Sequence, residues 1–170
     1  MQHKLILCLF SIIILMAPSC KKEHLTKETQ TGANTFSCKI NGNVFTPCKG
    51  GLFSGPPLWG GYSNNFKTVV IAGECTLEYP FKYVVIDLEN FHGVGEYLLS
   101  DINNSCTYLE SNPTDKYYKS SLTQNGKVVI TKDDRVNFIV SGTFEFTAAN
   151  TSNSSDIVTV LSGRFDIKFI

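Results

Sequence analysis

The cysteine at position 20 has the most specific chemical setting in this chain. One basic residue, Lys4, precedes a predominantly apolar run of 13 residues, Leu5–Ala17. The run is too short to span a bilayer, which takes about 20 residues, but it fits the core of a secretory signal followed by a cleavage site. Cleavage before Cys20 would leave a thiol on the first residue, and a thiol is the group that can form a thioether to diacylglycerol.

The residues around this cysteine resemble a bacterial lipobox, in which a Leu and one or two small residues precede Cys. Met16–Cys20 fits this pattern apart from Pro18 at its middle position. We therefore expect residues 1–19 to be a lipoprotein signal peptide and Cys20 to be the lipid attachment site. The alternative is a plain secretory signal with a coincidental cysteine. Two acyl chains hold a protein stably on a membrane, so the expected location is the bacterial cell envelope, on the outer membrane, with the periplasmic and surface faces both open.

Four further cysteines remain for the folded part: Cys38, Cys48, Cys75 and Cys106. An even number in an oxidising compartment predicts two disulfides, and none of the spacings is that of a metal site. A tight turn at Asn41-Gly42 places the first two cysteines on opposite faces of a hairpin, which disfavours a bridge between them. Two pairings stay open, Cys38–Cys75 with Cys48–Cys106 and Cys38–Cys106 with Cys48–Cys75. The alternative is that one or both pairs are buried free thiols.

Two carboxylates, Asp87 and Glu89, alternate along one predicted strand, which puts their side chains about 7 Å apart on the same face. That separation suits the acid–base pair of a glycosidase. Any polar strand face produces such pairs, however, and we favour a solvated face. The two histidines after residue 20, His24 and His92, fall in a polar segment and in a turn, which argues against a metal site. We expect no catalytic residue, metal or cofactor.

Aromatic side chains in the segment 49–65 are the remaining candidates for a binding site. The segment is long, rich in Gly and Pro, and carries Phe53, Trp59 and Tyr62. Long loops with Trp and Tyr suit a sugar or peptide ligand on a β scaffold. The alternative, which we favour, is that the loop covers an open end of the sheet and that its aromatic side chains fill the core.

Alternating apolar and polar residues predict β-strands throughout residues 35–170. Interior Ser-Gly pairs at Ser141-Gly142 and Ser162-Gly163 predict bulges in the last two strands. Strands are predicted at 36–40, 43–47, 66–73, 81–89, 96–99, 106–110, 117–121, 127–132, 137–147 and 157–170. About ten short strands with polar turns predict a single all-β antiparallel domain, either a sandwich or a barrel.

The segment 20–34 contains the lipid-bearing cysteine and then polar residues, of which only Leu25 is large and apolar. Such a segment buries too little surface to offset its ordering entropy, so we expect a disordered leash. Without residues 1–19 the chain has 14 Lys and Arg against 15 Asp and Glu, a net charge near −1. This balance provides no basic field for nucleic acid.

Several motifs occur together in this chain: the lipobox, the polar leash, a Phe-x-x-x-Ile-Asn-Gly hairpin and a C-terminal pair of Ser-Gly strands. Together they resemble small lipoproteins of unknown function from Bacteroidetes-type bacteria. The residues that carry the resemblance are Phe36, Ile40, Asn41, Gly42, Gly142, Thr143, Phe144, Gly163 and Phe165. The resemblance implies an all-β envelope domain and supplies no catalytic residues.

The expected function is therefore non-enzymatic binding or structural work on a membrane, with a glycan, a peptide or a protein as partner. One alternative is an enzyme that processes envelope glycans or lipids, with a site near Trp59, Asp87 and Glu89. A second alternative is an accessory subunit of an outer-membrane complex.

Overall fold

The alternating segments fold into an all-β domain in the computed structural model, which describes residues 24–48, 55–77 and 79–169. Within these residues there are eleven strands, one 3-10 turn at Ser120–Leu122 and no α-helix. The strands are β1 (Thr35–Ile40), β2 (Asn43–Phe45), β3 (Leu58–Ser63), β4 (Thr68–Cys75), β5 (Phe81–Leu88), β6 (Gly95–Leu98), β7 (Asn104–Ser111), β8 (Asp115–Lys119), β9 (Asn125–Asp134), β10 (Ile139–Asn150) and β11 (Ile157–Lys168). The prediction of an antiparallel all-β domain is confirmed.

The strands belong to one large sheet in the order β2–β1–β11–β10–β8–β7–β5–β4–β3. Strand β9 also pairs with β10, beside β8, and β6 pairs with β9. The sheet is not closed into a barrel and has a sandwich-like form. Alternation is the same in a sandwich and a barrel, which is why the sequence did not separate them.

The core is built from side chains at every second strand position. In β5, Val84, Ile86 and Leu88 are fully buried, whereas the intervening Tyr83, Val85 and Asp87 are only partly buried. Burial of each large apolar side chain contributes about 1.5–3 kcal/mol. The buried side chains of β1, β10 and β11 and those of β4, β5 and β7 form one core cluster. The phenylalanines of this core are Phe36, Phe45, Phe91, Phe144, Phe146, Phe165 and Phe169.

The first hairpin has the predicted register. Asn41 and Gly42 have positive φ angles of 48° and 85°, as a type I′ turn requires. Cys38 pairs with Phe45 and Ile40 with Asn43.

Both Ser-Gly pairs lie at irregularities in strand register, as predicted. The pairing of β10 with β11 shifts between Phe144 and Phe146, opposite Ser162, whose φ is 54°. An extra residue reverses the alternation of side chains beyond it, and Leu161, which simple alternation places in the core, is 47% exposed. A second shift lies at Ser141-Gly142 in the pairing of β10 with β9.

The segment expected to be a disordered leash lies against the domain over residues 26–34. Its contacts converge on Asp166, a fully buried carboxylate on the outward side of β11. This carboxylate accepts hydrogen bonds from the backbone N–H groups of Thr31 (2.9 Å), Gly32 (2.8 Å) and Ala33 (3.1 Å). It also accepts from the hydroxyl of Thr29 (2.6 Å).

The expectation of a leash without a fold of its own is therefore wrong for residues 26–34. That expectation weighed apolar burial alone, whereas hydrogen bonds to a charged acceptor stabilise this segment. Arg164 adds a bond to the carbonyl of Thr26 (3.0 Å). Residues 20–23 lie outside the described residues.

The predicted loop 49–65 contains a strand instead, β3, which is the last strand in the sheet order of the described residues. Trp59 pairs with Ala72 and Gly61 with Val70 of β4. The glycines and the absence of β-branched residues concealed this strand, because its stability comes from pairing with the Val- and Ile-rich β4. Residues 49–54 of the predicted loop lie outside the described residues.

Candidate functional site

The outward side of strands β3, β4, β5, β7 and β8 carries the candidate site, and we call it the outer face. Paired residues in adjacent strands point to the same side of a sheet. One row across the outer face consists of Trp59, Ala72, Val85, Thr107 and Lys119. The next row consists of Glu74, Tyr83, Leu109 and Tyr117. On the other side of the first row lie Gly61, Val70, Asp87 and Ser105.

Aromatic side chains remain accessible on the outer face. Trp59 is 42% exposed and Tyr117 is 43% exposed. Phe81 extends the row of aromatic side chains along β5, and its ring lies 5.7 Å from that of the exposed Tyr79 in an edge-on arrangement. Exposed aromatic side chains that lie together mark interaction sites more often than scattered ones do.

Carboxylates lie between these rings. The indole N–H of Trp59 donates a hydrogen bond of 3.2 Å to Glu74, which fixes the ring beside the carboxylate. Burial, followed by the negative charges of Glu74 and Asp115, raises the pKa of Tyr83. This ring therefore lies within the electrostatic reach of two carboxylates.

Asp87 is the carboxylate of the outer face whose charge is least well solvated. Its Oδ1 is buried and has no hydrogen-bond partner among the described residues. Burial, with a smaller contribution from the charge of Glu89, raises its pKa. Glu89 itself lies beyond the end of β5 and is exposed, so the two carboxylates do not share one strand as the sequence suggested.

The aromatic residues of segment 49–65 separate in space. The ring of Tyr62 packs on Phe66, Phe91 and Phe169 at 4.9, 5.9 and 5.3 Å between centroids, and its hydroxyl donates to Asp133 (2.5 Å). Burial, and then the hydrogen bond to this carboxylate, raises the pKa of Tyr62. Tyr62 is thus partly buried and packs against the core, in the direction of the favoured alternative, whereas Trp59 stays on the outer face. Phe53 lies outside the described residues.

The cysteines form one disulfide among the described residues. Cys48 and Cys75 are bonded, with their Cα atoms 4.5 Å apart, whereas Cys38 and Cys106 are free and buried. The prediction of two disulfides is therefore wrong, and one pair consists of buried thiols. Both free cysteines face the core, where burial raises the pKa of Cys38 to about 12. Cys20, the predicted lipid site, lies outside the described residues.

The two histidines lie in separate places. His92 stacks on the ring of Tyr97 at 4.6 Å, and His24 lines a cleft beside the disulfide. Residues 24–48, 55–77 and 79–169 contain no group of three or more His, Cys, Asp or Glu side chains placed to hold a metal ion. The part of the chain that the structure describes also contains no helix long and apolar enough to cross a membrane.

Sequence reasoning missed Glu74, Tyr83 and Tyr117 as members of the site. The signal was present in β5, where Tyr83 and Asp87 alternate with three buried aliphatic residues. On this strand only the carboxylates Asp87 and Glu89 were considered, and Tyr83 on the same face was left out.

A family model with the description "Domain of unknown function (DUF6252)" matches residues 62–166, more than half of the 170 residues. The match covers β4 to β10 completely and includes Asp87 and Tyr117, whereas Trp59 precedes it. Neither a curated protein nor a solved structure matches the chain.

Proposed function

We propose, from the premise that this chain belongs to the family described as Domain of unknown function (DUF6252), that it is a lipid-anchored envelope protein with a non-enzymatic binding role. The lipid is attached to Cys20, and the membrane is the outer membrane of a Bacteroidetes-type bacterium. The partner binds on the outer face. Support for the anchor comes from the apolar run, the small residues and the cysteine at positions 5–20.

The observation that carries the binding role is the accessibility of large aromatic side chains on one side of a sheet. Trp59 and Tyr117 each keep about two fifths of their surface exposed, although seven phenylalanines lie in the core and Tyr62 packs against it. Exposed apolar surface of this size lowers the solubility of a protein and does not stabilise its fold. A partner that covers these rings gives this arrangement a use.

The tie between residues 26–34 and Asp166 also supports an anchored domain. Hydrogen bonds to a buried carboxylate fix this segment to β11, and the segment follows Cys20 by only a few residues. An anchor at Cys20 would therefore hold the domain close to the bilayer.

Metabolic labelling with a palmitate analogue tests the anchor. We expect label in the wild-type protein and in Cys8→Ala, whose cysteine lies inside the cleaved run, but none in Cys20→Ala. Equal labelling of Cys20→Ala and wild type would exclude lipid on this residue.

A pull-down from detergent-solubilised membranes tests the binding role. We expect Trp59→Ala combined with Tyr117→Ala to lose a partner that the wild-type chain retains. The matched control is Ile102→Ala, since Ile102 is 96% exposed and lies off the outer face. Retention of every partner by the double variant would remove the outer face from the binding role. If the retained partner were an outer-membrane assembly, the chain would be an accessory subunit.

Asp87 supports a second candidate, an enzyme acting on envelope glycans or lipids. A carboxyl group with a raised pKa and a buried oxygen that no described residue pairs has the properties of a general acid. This candidate predicts that Asp87→Asn abolishes turnover of an envelope polysaccharide and leaves its binding intact. Unchanged turnover, or no turnover by the wild type, would exclude it.

A further inference from the structure

The outward side of the sheet divides into a covered part and an open part. Residues 26–34 cover the outward side of β11, which is why Asp166 and Ser141 are fully buried there. The outer face has no such cover among the described residues, and Trp59, Tyr83 and Tyr117 lie on it. Polar side chains are thus buried on the outward side of β10 and β11, whereas aromatic rings lie uncovered by described residues on the outer face.

The charges of the outer face have mainly one sign. Its strands place three carboxylates there, Glu74, Asp87 and Asp115, against one ammonium group, Lys119. Of these carboxylates, Asp87 is only partly exposed, and one of its oxygens is buried without a hydrogen-bond donor among the described residues. The face is therefore complementary in charge to a cationic partner.

The aromatic rings suit the same kind of partner. A Lys ammonium or an Arg guanidinium over the face of Trp or Tyr gains about 0.5–1 kcal/mol at an exposed site. The bond from Trp59 to Glu74 places ring and carboxylate side by side, so one cation can contact both. Tyr83 pairs with Glu74 across β4 and β5, so its ring also lies beside a carboxylate.

The spacing of these groups matches an extended chain. Asp87 and Tyr83 are four residues apart on β5, about 13 Å at 3.3 Å per residue, and Glu74 pairs with Tyr83 on the neighbouring strand. Residues i and i+4 of an extended peptide have the same separation and point to the same side. Two cations at such positions can therefore reach Asp87 and the Glu74–Tyr83 pair together.

Gly61 leaves room for this chain. A Cβ built on Gly61 has no heavy atom within 4 Å, and its backbone is not in the left-handed region, so neither packing nor conformation requires glycine there. Gly61 lies in the row of Val70 and Asp87. Its missing side chain leaves the surface beside Val70 open at this edge of the row.

We propose that the outer face binds an extended protein segment that carries Lys or Arg four positions apart, with cations over Trp59 and Tyr83 and in contact with Glu74 and Asp87. The inference rests on the proposed binding function and names the chemistry of its partner. A neutral glycan would use the rings without the carboxylate charges, and the test below separates the two.

Trp59 supplies the readout, because it is the one tryptophan of the chain. The detergent-solubilised protein is titrated with the nine-residue peptide (Lys-Thr)4-Lys while Trp59 fluorescence is recorded. We expect a saturable change, and an apparent Kd that rises at least threefold when NaCl increases from 50 to 300 mM, since exposed charges are screened. The charge-reversed peptide (Glu-Thr)4-Glu should give no saturation.

Charge-neutral variants locate the site. Glu74→Gln and Asp87→Asn should each raise the Kd roughly two- to fivefold, the range of exposed ion pairs, and the double variant about tenfold. Glu145→Gln, an equal change of charge at an exposed position of β10, should leave the Kd unchanged. Thermal unfolding of each variant shows that it is folded.

Three results would overturn the proposal: equal affinity for the two peptides, an unchanged Kd in the double variant, or salt-independent binding of a neutral oligosaccharide that displaces the Lys peptide. If no peptide binds while Trp59→Ala with Tyr117→Ala still loses a partner in the pull-down, the cationic partner is excluded and the proposed binding function stands.

Discussion

The carboxylate of Asp166 holds residues 29–33 against β11. It is fully buried on the outward side of β11, and the hydroxyl of Ser141 joins the donors of residues 29–33 at 2.7 Å. Burial alone would raise the pKa of Asp166, but the hydrogen bonds outweigh it and hold the pKa well below its usual range. A folded-state pKa below the unfolded value stabilises the native state above about pH 4 and loses this contribution as the pH falls further.

Asp166→Asn should lower the free energy of unfolding by about 3 kcal/mol at pH 7, because backbone donors then face an amide that accepts through one oxygen only. The difference between variant and wild type should shrink as the pH falls from about 4 towards 2. Urea unfolding at a series of pH values measures this.

The control for this change is Asp101→Asn, which removes an exposed carboxylate whose side-chain hydrogen bonds within the described part of the chain go to Asn103. Its cost should stay within about 0.5 kcal/mol. If the free energy of unfolding lost in Asp166→Asn does not vary with pH, ionisation of Asp166 does not contribute to stability as proposed.

At the scale of strands, the bulges allow the long hairpin of β10 and β11 to curve. Gly142 lies at one of them, where a Cβ would collide with the backbone of Val129 and the ring of Phe165. The close approach of β9 and β10 at this point therefore depends on a missing side chain.

Gly142→Ala should destabilise the domain by about 1–3 kcal/mol, the usual cost of overpacking. Gly61→Ala is the matched control, because its Cβ would enter open space, and its stability should change by no more than about 0.5 kcal/mol. Thermal unfolding of both variants compares them. Equal destabilisation would mean that strand entropy and not the close approach sets the cost.

The strands that the sequence predicted well are those with their own turn or alternation signal. The Asn41-Gly42 hairpin had the predicted register, and the Ser-Gly pairs marked bulges. β3 was missed because a strand rich in glycine shows no periodicity and is fixed by its neighbour. The contact of residues 29–33 with Asp166 was missed because its partner lies more than 130 residues away.

The candidate site was predicted only in part, for a similar reason. Trp59 and Asp87 were singled out one at a time, on segments far apart in sequence. Their place on one face depends on the pairing of β3, β4 and β5, which no local pattern specifies.

At the scale of the whole molecule, the disulfide joins the two ends of the sheet. Cys48 follows β2, the first strand in sheet order, and Cys75 ends β4, next to the last. A bridge between residues 27 positions apart stabilises a fold by about 3–4 kcal/mol in the chain-entropy account.

Cys48→Ala with Cys75→Ala should therefore lower the Tm by roughly 10–15 °C, as calorimetry would show. Addition of reductant should destabilise the wild type by a similar amount and leave the double variant unchanged. A wild type insensitive to reductant would mean that the bond does not form in solution.

Mass spectrometry checks the free pair of the same four cysteines. One disulfide lowers the mass of the mature chain by two hydrogens, and alkylation should label Cys38 and Cys106 only after unfolding, since both are buried. A mass lower by four hydrogens would show a second bridge between them.

The pairing of the first strand with the last has a consequence for the order of folding. Thr35 of β1 lies opposite Asp166 of β11. The first strand therefore cannot complete its pairing until nearly the whole chain is present. Contacts this distant in sequence slow folding, because loop closure precedes the contacts that reward it. If the chain is exported from its N-terminus, the hairpin of β1 and β2 emerges first and stays without its main partner until the C-terminal residues have crossed. Until then, only its turn stabilises the hairpin, and its unpaired edge needs protection by chaperones against aggregation.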